Sequence, residues 1–168
     1  KRVFFAEGEA ERVLRAVQAV VDEGLAKPIV CGRPEVIADR IGRLGLRIRM
    51  DEDFEVVNPL SDPRYNDYWR LYHRIMERKG VSPDQARTVI RTDATVIGAL
   101  AVRRGDADAL ICGVEGRYLD HLRHIEDIIG KAEGVEDYSA LSLLITSKGT
   151  FFIADTYVSD EPTVEELV

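Results

Sequence analysis

Short runs rich in β-branched and aromatic residues alternate with stretches whose apolar residues recur every three or four positions, and this rhythm holds to about position 130. Residues 2–6 read as a buried strand, followed by a helix whose Val13, Leu14, Val17, Val20 and Val21 share one face and whose stop signal is Gly24. A second strand over 28–31 closes at Gly32, and Pro34 suits the opening turn of a helix carrying Val36, Ile37 and Ile41 to Gly45. A short third strand covers 55–57. Residues 65–79 then read as a helix with Tyr68, Trp69, Tyr72 and Met76 on one face and Gly80 at its end. Ser82-Pro83-Asp84 opens what reads as one longer helix, with Val89, Ile97, Leu100 and Ala101 facing inward, up to Gly105. A strand over 109–112 and a helix over 118–129 complete the series. Repeated βα units need a sheet covered on both faces. The expected fold is therefore α/β, a mostly parallel doubly wound sheet with flanking helices, in which 2–6, 28–31, 55–57 and 109–112 are interior strands.

The rhythm changes after Gly134. Residues 139–146 and 150–158 are strand-like runs joined by Ser147-Lys148-Gly149, which predicts an antiparallel β-hairpin over 139–158 extending beyond the sheet. No internal repeat and no low-complexity linker divides the chain, so 1–168 reads as one piece. Lys1 leads straight into a strand, and Val168 falls in the first turns of an amphipathic pattern opened by Pro162. That reading expects a piece of a longer polypeptide.

With 45% apolar and 32% charged residues the chain can build a core, while a net charge of −7 argues against a general binder of nucleic-acid backbone. No apolar run approaches the ~18 residues of a membrane span, and no charged leader precedes an apolar stretch; a cytoplasmic protein without membrane association is expected. Cys31 and Cys112 sit inside apolar runs without disulfide-framework or metal-ligand spacing, and are expected as buried free thiols.

Ligands of open α/β sheets collect beyond the carboxyl ends of strands, beside helix N-termini. Two strand exits carry suggestive residues. In the first, 6–12, a glycine allows close backbone approach and Arg12 can hold a phosphate; equally, the acidic residues Glu7, Glu9 and Glu11 suit the first turn of a helix, with Arg12 on a solvated face. In the second, 112–117, a strand breaks at Gly113, Gly116 follows, and a helix starts with Arg117 in its first turn, with Asp120 and Arg123 beyond. This is the layout of an anion site or of an ordinary βα turn, and it matches neither a Walker loop nor a dinucleotide fingerprint. His121 and His124 are neighbours on one helix without an evident third ligand, so they are expected as exposed helix histidines. No serine lies in a Gly-x-Ser-x-Gly elbow, and no nucleophile-plus-base set emerges.

The segment Gly-Asp-Ala-Asp-Ala-Leu-Ile-Cys-Gly over 105–113, continuing through Asp120-His-Leu-Arg123 to Ile128-Ile129-Gly130, resembles the phosphate acetyltransferase family. That family writes Gly-x-Ala-Asp-Gly-x-x-Ser-Gly-Ala, then His, Ser/Thr, Asp-Thr-x-Arg-Pro and Ile-Ile. The opening Phe-Ala-Glu-Gly-Glu-x-Glu-Arg-Val-Leu, the Lys79-Gly80-Val81-Ser82 stretch and Gly149-Thr150-Phe-Phe-Ile-Ala-Asp155 are similar to its motifs as well. The resemblance spans the chain but only the first half of the family's domain, without the half that holds the family's Ser-Arg and Asp catalytic residues. It implies an isocitrate/isopropylmalate dehydrogenase-like fold and a ligand site for acetyl-CoA or phosphate built from Arg12, Gly113, Gly116, Arg117 and Arg123. Three departures stand out: Met76 occupies a family arginine position, Gly116 the family histidine, and Arg117 the adjoining Ser/Thr. The spelling around Asp62-Pro63-Arg64-Tyr65-x-x-Tyr68-Trp69 looks like one branch, the phosphotransacetylase-like C-terminal domain of NADP-dependent malic enzymes. For that branch the resemblance implies a non-catalytic regulatory and assembly module that binds acetyl-CoA and forms a homo-oligomer. No catalytic residue, metal or cofactor is expected in this piece, with NADP and a divalent metal confined to N-terminal domains outside it. A piece of an active transferase and a purely structural oligomerisation piece are the other two readings.

Overall fold

A computed structural model of the chain describes residues 1–135, 138 and 140–154. Its elements are β1 (Arg2–Phe5), α1 (Glu11–Asp22), β2 (Lys27–Cys31), α2 (Pro34–Leu44), β3 (Glu55–Val57), α3 (Tyr65–Met76) with a following 3₁₀ turn, α4 (Pro83–Thr92), α5 (Ala94–Arg104), β4 (Ala109–Ile111), α6 (Tyr118–Ile128), β5 (Leu141–Thr146) and β6 (Gly149–Ala154). They divide into two units, Lys1–Gly130 and a second beginning at Lys131.

In the first unit four strands form a sheet in the order β3-β2-β1-β4, with every pairing parallel. The period of two in β1 sends Phe4 to one face and Phe5 to the other, and both are buried. Phe4, Ile29, Cys31 and Val57 pack against Tyr68, Tyr72 and Met76 of α3, Ile90 of α4, Ile97 and Leu100 of α5, and Ile128 of α6. Phe5 and Val30 pack against Val13, Leu14 and Val17 of α1 and Ile37 of α2. Each face thus buries its own helical layer, which is what the near-continuous apolar strands require.

Two expectations fail here. The strand at 109–112 is not interior: β4 pairs with β1 alone and lies at the sheet edge among the described strands, with Ala109 and Ile111 exposed, and β3 holds the opposite edge. Apolarity reports what the side chains bury, whereas edge or centre depends on which side of β1 each crossover delivers its strand. Cys112 is correspondingly only half-buried; Cys31 is buried, and both thiols are free. The single long helix from Pro83 is in fact two. Ser82 and Gln85 form a reciprocal capping box at the start of α4, but Asp93 leaves helical geometry at φ −121°, ψ 101° and its carboxylate caps the Val96 amide. A short acidic side chain that bonds the backbone ahead of it makes this interruption favourable.

The second unit contains the antiparallel hairpin, with Thr146 opposite Gly149 across a two-residue Ser147-Lys148 turn. Of the predicted 139–158 span, 141–154 is observed as strands and turn; 139 and 155–158 lie outside the described residues, as does the helix opening expected at Pro162. Leu143, Ile145 and Phe152 are exposed on one side of the ribbon and Leu144, Phe151 and Ile153 on the other. No helix among the described residues is long and apolar enough to cross a membrane.

Candidate functional site

From β1 the chain steps to β2 and β3 on one side, while β4 lies on the other, so the loops leaving β1 and β4 diverge and open a crevice at the carboxyl ends of the strands. A cleft of about 430 Å³ occupies that place, lined by Glu7, Glu9, Cys31, Asp93, Thr95 and His121 among others.

The β1 exit is tightly built. Gly8 donates its amide to the Cys31 carbonyl at 3.0 Å. A Cβ on Gly8 would lie 2.5 Å from that carbonyl oxygen and 2.3 Å from Val30 Cγ1, so only glycine lets the turn pass this close. Next to it, the Glu9 carboxylate accepts the Arg33 amide at 3.0 Å and the guanidinium through Nε and Nη2 at 2.8 Å each. These bonds from Arg33 hold the Glu9 carboxyl down at about 2, outweighing the opposing effect of burial. Glu9 is therefore a clasp between neighbouring strand exits rather than a first-turn helix acid. The signal available in the sequence was the pair Gly8-Glu9 and Gly32-Arg33, opposite charges one step past the glycines that follow two strands.

At the β4 exit, Gly113 donates its amide to Glu7 Oε1 at 2.7 Å, and the other carboxylate oxygen of Glu7 is buried without a partner among the described residues. Gly113 and Gly116 have φ of +93° and +95°, in the region that favours glycine. Arg117 is the N-cap of α6 and makes no side-chain capping bond. His121 and His124 are not exposed helix histidines: both are half-buried and bonded. His121 meets Thr95 Oγ1 through Nδ1 at 2.8 Å and the Glu115 carbonyl through Nε2 at 2.7 Å, and His124 pairs with Asp93 at 3.0 Å. The Asp93 bond raises the His124 pKa against the effect of burial. Burial pushes the Cys31 thiol up to about 12 and also raises Cys112, so neither is an activated nucleophile.

Of the residues singled out in the sequence, Gly113 and Gly116 lie together in this loop. Arg12, exposed on α1, joins Arg40 and Arg43 of α2 around a second cleft of about 550 Å³ that Val114 and Glu115 of the same loop also line. Arg40 and Arg43 were missed; their three-residue spacing on an amphipathic helix puts them side by side but says nothing of what they face. Arg117 and Arg123 line neither cleft, and Arg123 pairs with Asp120 at 3.8 Å on the helix surface. Met76 is a core residue.

A family model described as phosphate acetyl/butaryl transferase matches residues 1–168. The chain belongs to this family. It is 63% identical over 166 residues to an NAD-dependent malic enzyme of Rhizobium meliloti (strain 1021), covering 99% of the chain and 22% of that protein. It is 50% identical over 167 residues to an NADP-dependent malic enzyme of Escherichia coli (strain K12), again covering 99% of the chain and 22% of the relative. Among solved structures, a phosphotransacetylase from Streptococcus pyogenes superposes with a TM-score of 0.83 at 24% identity, over 98% of the chain and 49% of that protein. The chain thus spans about a fifth of these malic enzymes and about half of the phosphotransacetylase, whose likeness extends to the fold.

Met76 packs in the core, while Gly116 and Arg117 lie in the exposed loop after β4.

Proposed function

We propose that the chain is the first half of a phosphotransacetylase-like domain at the C-terminal end of a malic enzyme, acting there as a non-catalytic regulatory and assembly module that binds acetyl-CoA. The observation that carries this is the 63% identity to a malic enzyme along 99% of the chain. Met76, packed in the core, and Gly116, without a side chain, supply no cation or acid at those family positions, in keeping with a binding rather than a catalytic role. In this reading the phosphates of acetyl-CoA engage Arg12, Arg117 and Arg123, and Gly113 and Gly116 allow close approach of the main chain. The remaining half of the domain supplies the other wall, and the complete domain is dehydrogenase-like in the isocitrate/isopropylmalate sense. Malate oxidation, its nicotinamide coenzyme and its divalent metal belong to other domains of a cytoplasmic homo-oligomer. The relatives are named for NAD at 63% identity and for NADP at 50%, so the choice of nicotinamide coenzyme lies with the domains outside this chain.

The test is a titration of the full-length protein with acetyl-CoA, read both as heat of binding and as a change in malate-dependent reduction of the nicotinamide coenzyme. Binding that alters the malate reaction, lost in Arg12→Ala, is the expected result; no binding at millimolar acetyl-CoA defeats the regulatory reading. A second reading, half of an acyl-transferring domain, is favoured by the family description itself, and acetyl phosphate formation from acetyl-CoA and phosphate by the full-length protein would establish it.

A further inference from the structure

His121 sits under the loop after β4 in a chain of hydrogen bonds whose direction is fixed at one end. The Glu115 carbonyl can only accept, so His121 Nε2, at 2.7 Å from it, carries the proton. In the neutral ring Nδ1 is then the acceptor and takes the hydroxyl proton of Thr95 at 2.8 Å. Thr95 is 3% exposed, so this bond is shielded from water. The series Thr95, His121, Glu115 therefore ties the first turn of α5, through α6, to the middle of the loop.

Gly116 makes room for this. A Cβ at 116 would lie 2.9 Å from His121 Nε2, at a φ of +95° that side chains rarely adopt. The imidazole thus reaches the loop from one turn inside α6, into the space beside a glycine.

We infer that His121 is a positioning residue that holds the 113–117 loop in the shape its ligand meets, its ring filling from α6 the space that Gly116 leaves open beside the loop. His121 touches main chain and Thr95 rather than ligand, so its effect on binding is indirect. The inference rests on the acetyl-CoA reading for the ligand but not for the loop.

The experiment uses the full-length protein and two readouts, amide hydrogen exchange of the 113–117 segment without ligand and calorimetric titration with acetyl-CoA. His121→Ala should speed exchange of that segment by about tenfold or more, the loop now opening locally, and weaken acetyl-CoA by a similar factor. His121→Gln, which keeps a donor for the Glu115 carbonyl, should recover part of both. Thr95→Val, a same-shape change, should produce the same kind of loss, and the double variant His121→Ala/Thr95→Val should cost less than the two losses combined, as expected of residues in one network. Thr95→Val also carries the test if His121→Ala does not fold. Wild-type exchange in the variants overturns the inference, as does faster exchange with acetyl-CoA affinity unchanged. A wild-type protein that does not bind acetyl-CoA defeats the ligand reading instead, and exchange alone then decides whether His121 holds the loop.

Discussion

After β1 the backbone is pinned by its neighbour strand: the Gly8 amide bonds the Cys31 carbonyl, and Glu9 and Arg33 close three hydrogen bonds between the two exits. After β4 the loop beyond the Cys112 position is held by side chains, Glu7 at Gly113 and His121 at Glu115, and residues 113–120 are all exposed. One exit belongs to the centre of the sheet and the other to its edge. A centre has strands on both sides to fix its turns, while an edge loop depends on a few long-range bonds and keeps freedom to meet a ligand. The proposed binding role accordingly falls where the scaffold is thinnest, with the rigid exit forming the opposite wall.

The comparison breaks most decisively at Gly8. Gly8→Val would place its Cβ 2.5 Å from the Cys31 carbonyl oxygen, backbone that cannot move without parting β1 from β2. We expect a loss of about 3 kcal/mol or more, the range of overpacked cores and strained turns. Thermal denaturation of the chain should show a fall in melting temperature of roughly 6–12 °C for a domain of this size. A fall of a degree or two would mean that the β1 exit yields as easily as the loop after β4.

Glu9→Gln sharpens the same contrast at smaller cost. It keeps an acceptor but removes the charge facing Arg33, whose side chain remains 51% exposed, so the loss should be about 1 kcal/mol. The pH dependence has a definite sign. Arg33 holds the folded-state pKa of Glu9 at about 2 against an ordinary 4.5, so the clasp contributes fully above 4.5 and is lost as pH falls toward 2. Urea denaturation of wild type and variant should give a gap that is constant from neutral pH down to about 5 and closes on acidification through that window. A gap that stays constant down to pH 2.5 would assign it to packing.

What could be read from residues alone follows from this geometry. The apolar periods located α1, α2, α3 and β1, and Pro34, Ser82-Pro83 and Gly45 marked helix ends correctly, because these are local preferences of short segments. The alternation of Phe4 and Phe5 between two buried faces was implicit in a continuous apolar strand flanked by helices. The position of β4 at the edge and the half-burial of Cys112 were not legible, since both depend on which side of β1 the long helical crossover returns. The partners of His121 were hidden for a related reason: Thr95 belongs to a helix whose start is set by Asp93, and the sequence read straight through that break as one helix. Arg12 and the glycines were found by their motifs, whereas Arg40 and Arg43 carry no motif and emerge only from the packing of α2 beside the loop.

Arg123 offers the finest test, because the expected effect on stability is the smallest. Its guanidinium lies 3.8 Å from Asp120 on the surface of α6, with the two side chains 73% and 55% exposed. A pair of that kind, three residues apart and fully screened by solvent, is worth at most about 0.3–0.5 kcal/mol. Arg123→Ala should therefore leave the melting temperature within about 2 °C of wild type. The same neutrality is what makes the variant useful: any change in acetyl-CoA affinity measured on the full-length protein then reports the guanidinium itself and not a disturbed fold. The guanidinium is weakly held, so re-aiming it toward a phosphate costs no more than the surface pair it leaves. A loss of several degrees instead would place Arg123 among the contacts that hold α6 to the sheet, and the contrast between a rigid β1 exit and a lightly held β4 side would no longer stand.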